Sequence, residues 1–382
     1  MSDPWQHWRD QFPILETCTY LVSHSLGAMP RAARAEADRF LDAWATRGVR
    51  AWAEGWWTIG RDTADLLAPI LGVPAGSVTM LQNVSLAQSV IVSSLDLRGA
   101  RRRIVVPRLD FPTNMYVFEG WRRHGAEVVY VESRDGMTQP AEDWLAQIDE
   151  RTVLVCCSLV LFRSASLTDV APILERARAV GAPVVLDVYQ ATGTVPFDLT
   201  ALGVEYAVGG SVKWLCGGPG ACYLYVRPDV AATMAPAVTG WAAHARPFGF
   251  EPGAIDYAEG GERLASGTPS VSAWMIAQAG YRIISAIGVP AIRQKSLRQT
   301  RRLLDHALAR GWPVRTPLED HRRGGTVTLD LPDSARLSAD LIAREIVVDH
   351  RPDAGIRMAP HFYTTDGDID HALAVLDELV RH

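Results

Sequence analysis

The feature that most constrains the fold is a regular alternation of short apolar runs with amphipathic segments between about residues 77 and 226. The apolar runs have the length of buried strands, and the segments between them have the apolar spacing of helices. Strands that alternate with helices build βαβ units, so the pattern predicts an α/β fold whose mostly parallel sheet carries helices on both faces. The seven strand candidates are residues 78–81, 104–107, 127–132, 153–159, 184–187, 206–209 and 222–226. The helix candidates among them are residues 86–95, 115–124, 141–148 and 170–180.

The pattern changes after about residue 270, and a chain of 382 residues exceeds what one hydrophobic core usually serves. The later candidates are a helical stretch at 272–310, a strand at 326–331, a helix at 335–346, an extended segment at 347–360 and a helix at 369–380. We therefore expect a large α/β domain at residues 60–270. Residues 1–59 and 271–382 are expected to form a smaller α+β domain together.

Charge and cysteine usage exclude several classes of protein. The 38 basic and 43 acidic residues give a formal net charge of −5, which argues against binding to nucleic acid or to a membrane surface. The five cysteines have neither metal-ligand spacing nor a disulfide framework, so no metal is expected. Cys156 and Cys157 lie in an apolar run and are interpreted as strand interior. With no signal peptide or long apolar stretch in the sequence, we expect a cytoplasmic protein.

Almost all of the basic residues are arginines, and Lys213 and Lys295 are the two lysines of the sequence. A lysine can lose its proton and act as an amine nucleophile, which arginine cannot do. Lys295 lies in a basic segment that is interpreted as the solvated face of a helix. Lys213 is therefore the candidate nucleophile.

An acid and this lysine follow two neighbouring strand candidates. Asp187 ends an apolar strand, and Lys213 comes 26 residues later, after another short strand and before GGPG. Open α/β sheets bind ligands at the carboxyl ends of their strands. This pair suits pyridoxal phosphate, because a lysine forms a Schiff base with its aldehyde and a carboxylate holds its pyridine nitrogen protonated. The alternative is a buried strand-end acid in a salt bridge with a surface lysine.

The phosphate of such a cofactor needs a seat, and residues 83–85 (Asn-Val-Ser) precede the first helix candidate of the large domain. A helix N-terminus presents free N–H groups and the positive end of its dipole. We therefore expect Val84 and the hydroxyl of Ser85 to contact the phosphate. The alternative is an ordinary helix cap, which is common for serine.

Further segments give the chain a specific resemblance to a known family. In chain order they are HSLGAMP (24–30), DFPTNMY (110–116), DVYQATG (187–193), SVKWLCGGPG (211–220), GWAAH (240–244), SGTP (266–269) and RPDAGIRMAP (351–360). As an ordered set over most of the chain, they resemble the fold-type I, class V pyridoxal-phosphate enzymes, and within these the kynureninases. The resemblance implies the fold-type I transferase fold, with a seven-stranded sheet and a homodimer that shares its active sites.

The resemblance also implies a role for individual residues. Lys213 and Asp187 are expected to be catalytic. The expected cofactor contacts are Val84, Ser85, Phe111, Thr113, Asp187, Gln190, Lys213, Trp241 and Thr268. Phe111 would stack on the cofactor ring, and Thr268 would come from the partner subunit. Arg357 and His244 are expected to bind the substrate.

Some of these residues also have simpler interpretations. A guanidinium suits a carboxylate because it binds it through two parallel hydrogen bonds, and the apolar residues that flank Arg357 indicate a strand entering the interior. The alternative for Arg357 is an ordinary surface arginine. Trp241 is expected to donate its indole N–H to the phosphate, and the alternative is a core tryptophan. The alternative for His244 is a histidine with a structural hydrogen bond.

Three positions depart from the family pattern. Val212 stands where kynureninases have a tyrosine before the lysine, and Gln190 stands where they have a histidine. Asn114 replaces the acid of the FPxD stretch. Glutamine still forms hydrogen bonds but does not titrate in the range where histidine does. These changes direct the expected substrate away from kynurenine itself and leave the expected cofactor unchanged.

The leading hypothesis is a kynureninase-like hydrolase or lyase that acts on an amino acid and cleaves a bond at its β-carbon. A class V aminotransferase is the second hypothesis, and a non-catalytic binder of pyridoxal phosphate is the third. A cysteine desulfurase of this class needs a reactive cysteine on a C-terminal loop, and the sequence has no cysteine after Cys222. That reaction is therefore excluded.

Overall fold

The computed structural model describes residues 5–381, which form twelve β-strands and thirteen α-helices. The strands are β1 (Thr19–Tyr20), β2 (Val78–Leu81), β3 (Arg103–Pro107), β4 (Glu127–Val131), β5 (Thr152–Ser158), β6 (Val184–Asp187), β7 (Tyr206–Gly210), β8 (Cys222–Val226), β9 (Val327–Leu329), β10 (Ile346–Val347), β11 (Asp349–Arg351) and β12 (Gly355–Met358). The helices are α1 (Gln6–Arg9), α2 (Arg31–Arg47), α3 (Ile59–Leu71), α4 (Val84–Val92), α5 (Pro112–Gly120), α6 (Ala141–Leu145), α7 (Ala171–Ala179), α8 (Leu199–Leu202), α9 (Pro228–Ala231), α10 (Val271–Ile287), α11 (Val289–Ala309), α12 (Ser334–Ile342) and α13 (Asp366–Arg381).

Seven of the strands form the central sheet, in the order β2-β8-β7-β6-β5-β3-β4. β8 is antiparallel to both of its neighbours, and the remaining neighbouring pairs are parallel. The predicted α/β fold with a mostly parallel seven-stranded sheet is therefore confirmed. Each strand differs from its predicted bounds by at most one residue at either end.

The sheet is buried on both faces, as a parallel sheet covered by helices must be. Successive side chains of a strand point to opposite faces, so Cys156 packs in the core on one side and Cys157 in the core on the other. Both thiols are fully buried and free, which agrees with their interpretation as strand interior.

The order of the strands marks a crevice at the carboxyl edge of the sheet. From β3 the chain goes outward to β4 on one side and then continues from β5 on the other side. Ligands of open α/β sheets bind at such a switch point. The loop after β3 and the end of β5 border it, and β6 ends beside β5.

The helical stretch predicted at 272–310 is divided into α10 and α11, which meet at 82°. Gly288 separates them with a φ of 85°, and Pro290 lies in the first turn of α11, where its fixed ring suits a helix start. Within residues 5–381 no single helix has the length and apolar character of a membrane span. Helices α10 and α11 have that length and apolar character only when they are taken together, as a bent pair.

The C-terminal strands form a smaller α+β unit, with a sheet in the order β11-β12-β9. The N-terminal segment joins this unit, because β1 pairs in parallel with β10 and Val22 bridges to Ala359. The expected smaller α+β unit is therefore present. The proposed domain boundaries at 59/60 and 270/271 stay a prediction.

The interpretation of Lys295 as a solvated residue is wrong. Its side chain is 5% exposed, and its ammonium group donates to the carbonyl oxygen of Phe362 at 2.6 Å and faces the ring of Trp5. The basic residues around it suggested a solvated face, but α11 turns this position toward the C-terminal segment.

Candidate active site

Asp187 ends β6, and its carboxylate is held in one orientation. Oδ1 accepts from the backbone N–H of Tyr189 at 2.8 Å, and Oδ2 accepts from the Asn114 amide at 2.8 Å. Burial raises the pKa of Asp187, while these two hydrogen bonds and the charge of Lys213 oppose the rise. The structure thus places an oriented buried carboxylate at the carboxyl edge of the sheet.

Lys213 lies in the turn that follows β7, and this turn is fixed by close packing. The Gly217 N–H donates to the Ser211 carbonyl oxygen at 2.8 Å. An added Cβ on Gly280 of α10 would overlap the carbonyl oxygen of Leu215. Helix α10 therefore packs directly on the backbone that carries the lysine.

The half-buried amine of Lys213 faces two aromatic rings. Its Nζ lies 4.3 Å from the centroid of Tyr189 and 5.6 Å from that of Phe111. Burial lowers the pKa of Lys213 to about 8, with further lowering by the charges of Arg357 and Arg351 and an opposing effect of Asp187. A sizeable fraction of the amine is therefore neutral near neutral pH.

Phe111 lies directly before α5 with its ring exposed by 48%, although its neighbours in the crevice are buried. Its N–H donates to Asp110 Oδ1 at 2.7 Å, and its ring contacts Phe162 edge-on at 5.4 Å. Thr113 is half-buried in the first turn of the same helix. This arrangement leaves a ring face free for stacking on a flat ligand.

A second buried carboxylate lies beside Asp187. Asp110 follows β3, and the Asn114 amide donates to its Oδ2 at 2.9 Å as well as to Asp187. The Asn114 oxygen accepts from Gln88 at 2.5 Å. Burial, followed by the charge of Asp187, raises the pKa of Asp110 to about 7. The asparagine that departs from the family pattern thus bridges two acids.

The expected phosphate seat is the N-terminus of α4. Asn83 caps the helix by accepting from the Leu86 N–H at 2.9 Å, which leaves Ser85 exposed in the first turn. Within residues 5–381 the Ser85 hydroxyl forms no hydrogen bond. Val84 is buried beside it. The helix end therefore offers an N–H cluster and an unused hydroxyl to an anion.

Arg357 is buried and already paired. It binds Asp349 through Nε at 2.8 Å and Nη2 at 2.5 Å, and its Nη1 donates to the Phe162 carbonyl at 2.6 Å. Three of the five guanidinium N–H groups are thus used, and two remain. Asp349 Oδ1 also accepts a hydrogen bond from His24 Nε2 at 3.0 Å. Burial and the charge of Arg357 lower the pKa of His24 to about 3, so this imidazole is neutral.

Gln190 is held by protein groups. Its Nε2 donates to the His24 carbonyl at 3.1 Å, and its Oε1 accepts from the indole N–H of Trp214 at 3.0 Å. The glutamine therefore ties the strand-end segment to the turn of Lys213 and to the N-terminal segment. Its expected contact with the cofactor stays a prediction.

Three further predicted residues lie in the segment between α9 and α10. His244 lines a cavity of about 580 Å³ together with Gln82, Ser266 and neighbouring residues of the SGTP loop. Thr268 itself is exposed, and Trp241 is 39% exposed within a cluster of aromatic rings. Within residues 5–381 none of these three residues forms a hydrogen bond or a ring contact with Lys213.

Sequence reasoning missed Tyr189, Asp110, Asp349 and His24 as neighbours of the site. Tyr189 stands two residues after Asp187, and this position in the quoted segment was the available signal. An added Cβ on Gly210 would overlap its ring, so the small residues at the end of β7 make room for it. The other three depend on contacts between distant segments.

The residues at the crevice fit the chemistry of pyridoxal phosphate. Lys213 offers a partly neutral amine for the aldehyde, and Asp187 offers a carboxylate for the pyridine nitrogen. Phe111 offers a free ring face, and the start of α4 offers a phosphate site. Among residues 5–381, no group of three or more histidine, cysteine or acidic side chains is placed to hold a metal ion.

Residues 20–349 match the family model described as Aminotransferase class-V. Kynureninase from Burkholderia pseudomallei strain K96243 is 28% identical over 395 residues, which cover 99% of this chain and 93% of that protein. Kynureninase from Bacillus thuringiensis subsp. konkukian strain 97-27 is 27% identical, with coverage of 99% and 92%.

Solved structures share the fold. A cysteine desulfurase from Thermococcus onnurineus NA1 superposes with a TM-score of 0.88 at 19% identity, covering 100% of this chain and 99% of that one. The cystine C–S lyase C-DES, in complex with its product cysteine persulfide, superposes with a TM-score of 0.86 at 21% identity, covering 96% and 99%. At such identities the likeness concerns the fold alone, and it confirms the predicted fold-type I architecture.

Proposed function

Because the chain belongs to the class V aminotransferase family, we propose that it is a kynureninase-like enzyme that uses pyridoxal phosphate to cleave a bond at the β-carbon of an amino acid. The observation that carries the proposal is the position of Lys213. Its amine has a lowered pKa, faces the exposed ring of Phe111 and interacts with the oriented carboxylate of Asp187. This is the set of groups that the cofactor requires.

When bound, pyridoxal phosphate supplies an electron sink for the negative charge that develops at the substrate α-carbon. Lys213 takes and returns the proton at that carbon, since a pKa of about 8 lets the amine hold either state near neutral pH. Asp187 would accept the N–H of the pyridine ring. Phe111 would stack on that ring, and Ser85 with the first turn of α4 would bind the phosphate.

The substrate α-carboxylate binds Arg357 through the two N–H groups that Asp349 and Phe162 leave unused. Asp349 holds the guanidinium in a fixed plane. This pairing reduces the entropy that Arg357 loses when the substrate arrives, and it allows a carboxylate to be recognised in one orientation.

Cleavage at the β-carbon is supported by the two relatives that are kynureninases, which align with 99% of the chain. The side chain of Val212, which precedes Lys213, cannot act as an acid or a base. The side chain of Gln190 is hydrogen-bonded to Trp214 and to the carbonyl of His24. Both residues differ from the family pattern. We infer that the substrate is an amino acid other than kynurenine that has a carbonyl or a leaving group at Cβ.

The family description favours transamination as the second candidate. The two reactions are separated by incubating the purified enzyme with a panel of amino acids, including kynurenine, in the presence and absence of pyruvate. Alanine or another cleavage product released without a 2-oxo acid supports cleavage at Cβ. Turnover that depends strictly on the 2-oxo acid supports an aminotransferase. The Lys213→Ala variant is the control and should be inactive in both.

We also propose a homodimer in which Thr268 and the SGTP loop contact the partner's cofactor. The rings of Trp241, Phe248 and Phe250 lie in mutual contact and are exposed by 39%, 57% and 74%. Monomers rarely expose such a patch. Light scattering should report twice the chain mass, and the double variant Phe248→Ser/Phe250→Ser should lower it. Leu308→Ser, an exposed apolar position on α11, is the matched control.

A further inference from the structure

The pair of buried acids at the crevice has a feature that the proposed reaction does not use. Asp110 and Asp187 are 4% and 7% exposed, and one asparagine amide lies between them. Asn114 Nδ2 carries two hydrogens, and it donates one to each carboxyl group, at 2.9 and 2.8 Å. On its other side, the Asn114 oxygen accepts from Gln88. If the Asn114 amide were flipped, its oxygen would face the oxygens of both acids, and its N–H group would face the Gln88 donor. The amide orientation is therefore fixed.

Full ionisation of both acids is disfavoured, because they are buried and accept from the same Asn114 nitrogen. Each negative charge opposes ionisation of the other, and burial disfavours both charged forms. Coupled acids of this kind release their protons in separate steps, so the pair carries a single negative charge over a range of pH.

The surroundings of the two acids differ. The charge of Lys213 acts on Asp187 and favours its ionised form. The titratable groups that face Asp110 are Asp187 and the thiols of Cys156 and Cys157, whose pKa values are raised by burial, so these thiols stay neutral. None of these groups carries a positive charge that would stabilise the ionised form of Asp110.

The contacts of Asp110 also allow a proton on it. Its Oδ1 lies 2.6 Å from the hydroxyl of Ser158, at the end of β5. A hydroxyl group both donates and accepts, so the Ser158 oxygen can receive a hydrogen bond from a protonated Asp110. Within residues 5–381 the Asp187 side chain accepts from an amide N–H and a backbone N–H and has no hydroxyl partner of this kind. The pKa of Asp110 rises to about 7, in line with this difference.

We propose that Asp110 is a positioning residue that holds the proton of this pair, so that Asp110, Asn114 and Asp187 act as one unit in which Asp187 presents a full carboxylate. Its role toward the cofactor rests on the function proposed above, whereas the location of the proton does not. Asn114 transmits the effect, because any movement of one acid changes the hydrogen bond of the other. Loss of the Asp110 proton adds a second negative charge behind Asp187.

The proton can be observed by infrared spectroscopy of the purified protein, with ¹³C-labelled aspartate to assign the band. Ordinary carboxyl groups are ionised above about pH 5.5, so a carbonyl band of an aspartic acid at pH 6 reports a perturbed group. We expect this band in the wild type, with loss at a midpoint near pH 7. It should be absent from Asp110→Asn and unchanged in Asp42→Asn, an exposed acid of α2.

Ser158→Ala provides a second variant that keeps Asp110. Ser158 can bond to either form of Asp110, but the bond that it donates to the ionised form is charge-assisted and therefore the stronger one. Its loss disfavours the ionised form more than the protonated form, so the midpoint should move to higher pH. Absence of the band from the wild type, its persistence in Asp110→Asn, or an unmoved midpoint in Ser158→Ala would each overturn the location of the proton.

The effect on the cofactor is measured by its dissociation constant, which should rise about tenfold in Asp110→Ala, because Asn114 then loses its acceptor at this position. The rise should be smaller in Asp110→Asn, because the amide oxygen still accepts from Asn114 and the side chain is neutral like the protonated acid. Unchanged affinity in Asp110→Ala, or an equal loss in both variants, contradicts the unit. A wild type that takes up no cofactor instead contradicts the proposed function, and the infrared band remains a separate readout.

Discussion

The lowered pKa of Lys213 makes a quantitative prediction about how the apoprotein takes up pyridoxal phosphate. The neutral amine attacks the aldehyde, and burial lowers the pKa of Lys213 from 10.5 to about 8. At pH 7 an amine with the lower pKa is about 10% neutral, against about 0.03% for an unperturbed lysine. Uptake should therefore be about 300 times faster than an ordinary lysine of equal access would allow.

The assay mixes apoprotein with the cofactor in a stopped-flow instrument and follows the visible absorbance across a pH series. The rate should rise about tenfold per pH unit and level off above about pH 8, since the neutral fraction then saturates. Arg357→Met removes a positive charge that lowers the pKa of Lys213, so the midpoint should move to higher pH. Arg344→Met, an exposed arginine paired with Glu378, should leave it unchanged. A wild-type midpoint near 10.5 would refute the reasoning.

Three further predictions concern packing, acid sensitivity and substrate binding. Gly210→Ala should lower the thermal midpoint by several degrees, because an added Cβ overlaps the ring of Tyr189 and overpacking costs about 1–3 kcal/mol. Gly99→Ala, with nothing within 4 Å of the new Cβ, should leave it unchanged. Burial lowers the pKa of His361 to about 3, while the unfolded chain takes up that proton below about pH 6.5, so stability should fall on acidification from there. Thermal melts of His361→Gln should show a smaller fall, and an equal one would contradict this cause. Arg357→Met should raise the KM for the amino acid about 30-fold with the cofactor spectrum retained, and an unchanged KM would exclude the carboxylate contact.

The central sheet was predictable because its signal is local. Each strand is a short apolar run, and both of its faces are buried, so its bounds follow from the sequence alone. Asp187 and Lys213 were predictable for the same reason, since each follows such a run. Their proximity then follows from the neighbouring positions of β6 and β7 in the sheet.

The polar partners of the site were not predictable in this way. Arg357 and Asp349 pair because they lie directly opposite each other in the β11–β12 hairpin, and a shift of one residue would separate them. Gln190 meets Trp214 and His24 only after three distant segments have packed. Such contacts depend on register and on tertiary packing.

The departures from the family pattern were visible in the sequence, but their consequences were not. In the sequence Asn114 indicates only that an acid is missing, whereas the structure shows an amide that joins Asp110 to Asp187. The acid that is missing at position 114 has a counterpart in Asp110, which lies four residues earlier in the chain and directly before Phe111. Only the geometry of the loop after β3 relates the two positions.

The site of covalent attachment of the cofactor tests the proposed role of Lys213 most directly. The purified protein is loaded with pyridoxal phosphate and reduced with borohydride, and the peptides that contain Lys213 and Lys295 are then examined by mass spectrometry. The added mass of the reduced cofactor should lie on the Lys213 peptide and be absent from Lys213→Ala. A label on Lys295, or a fully loaded protein with no label on Lys213, would contradict that role.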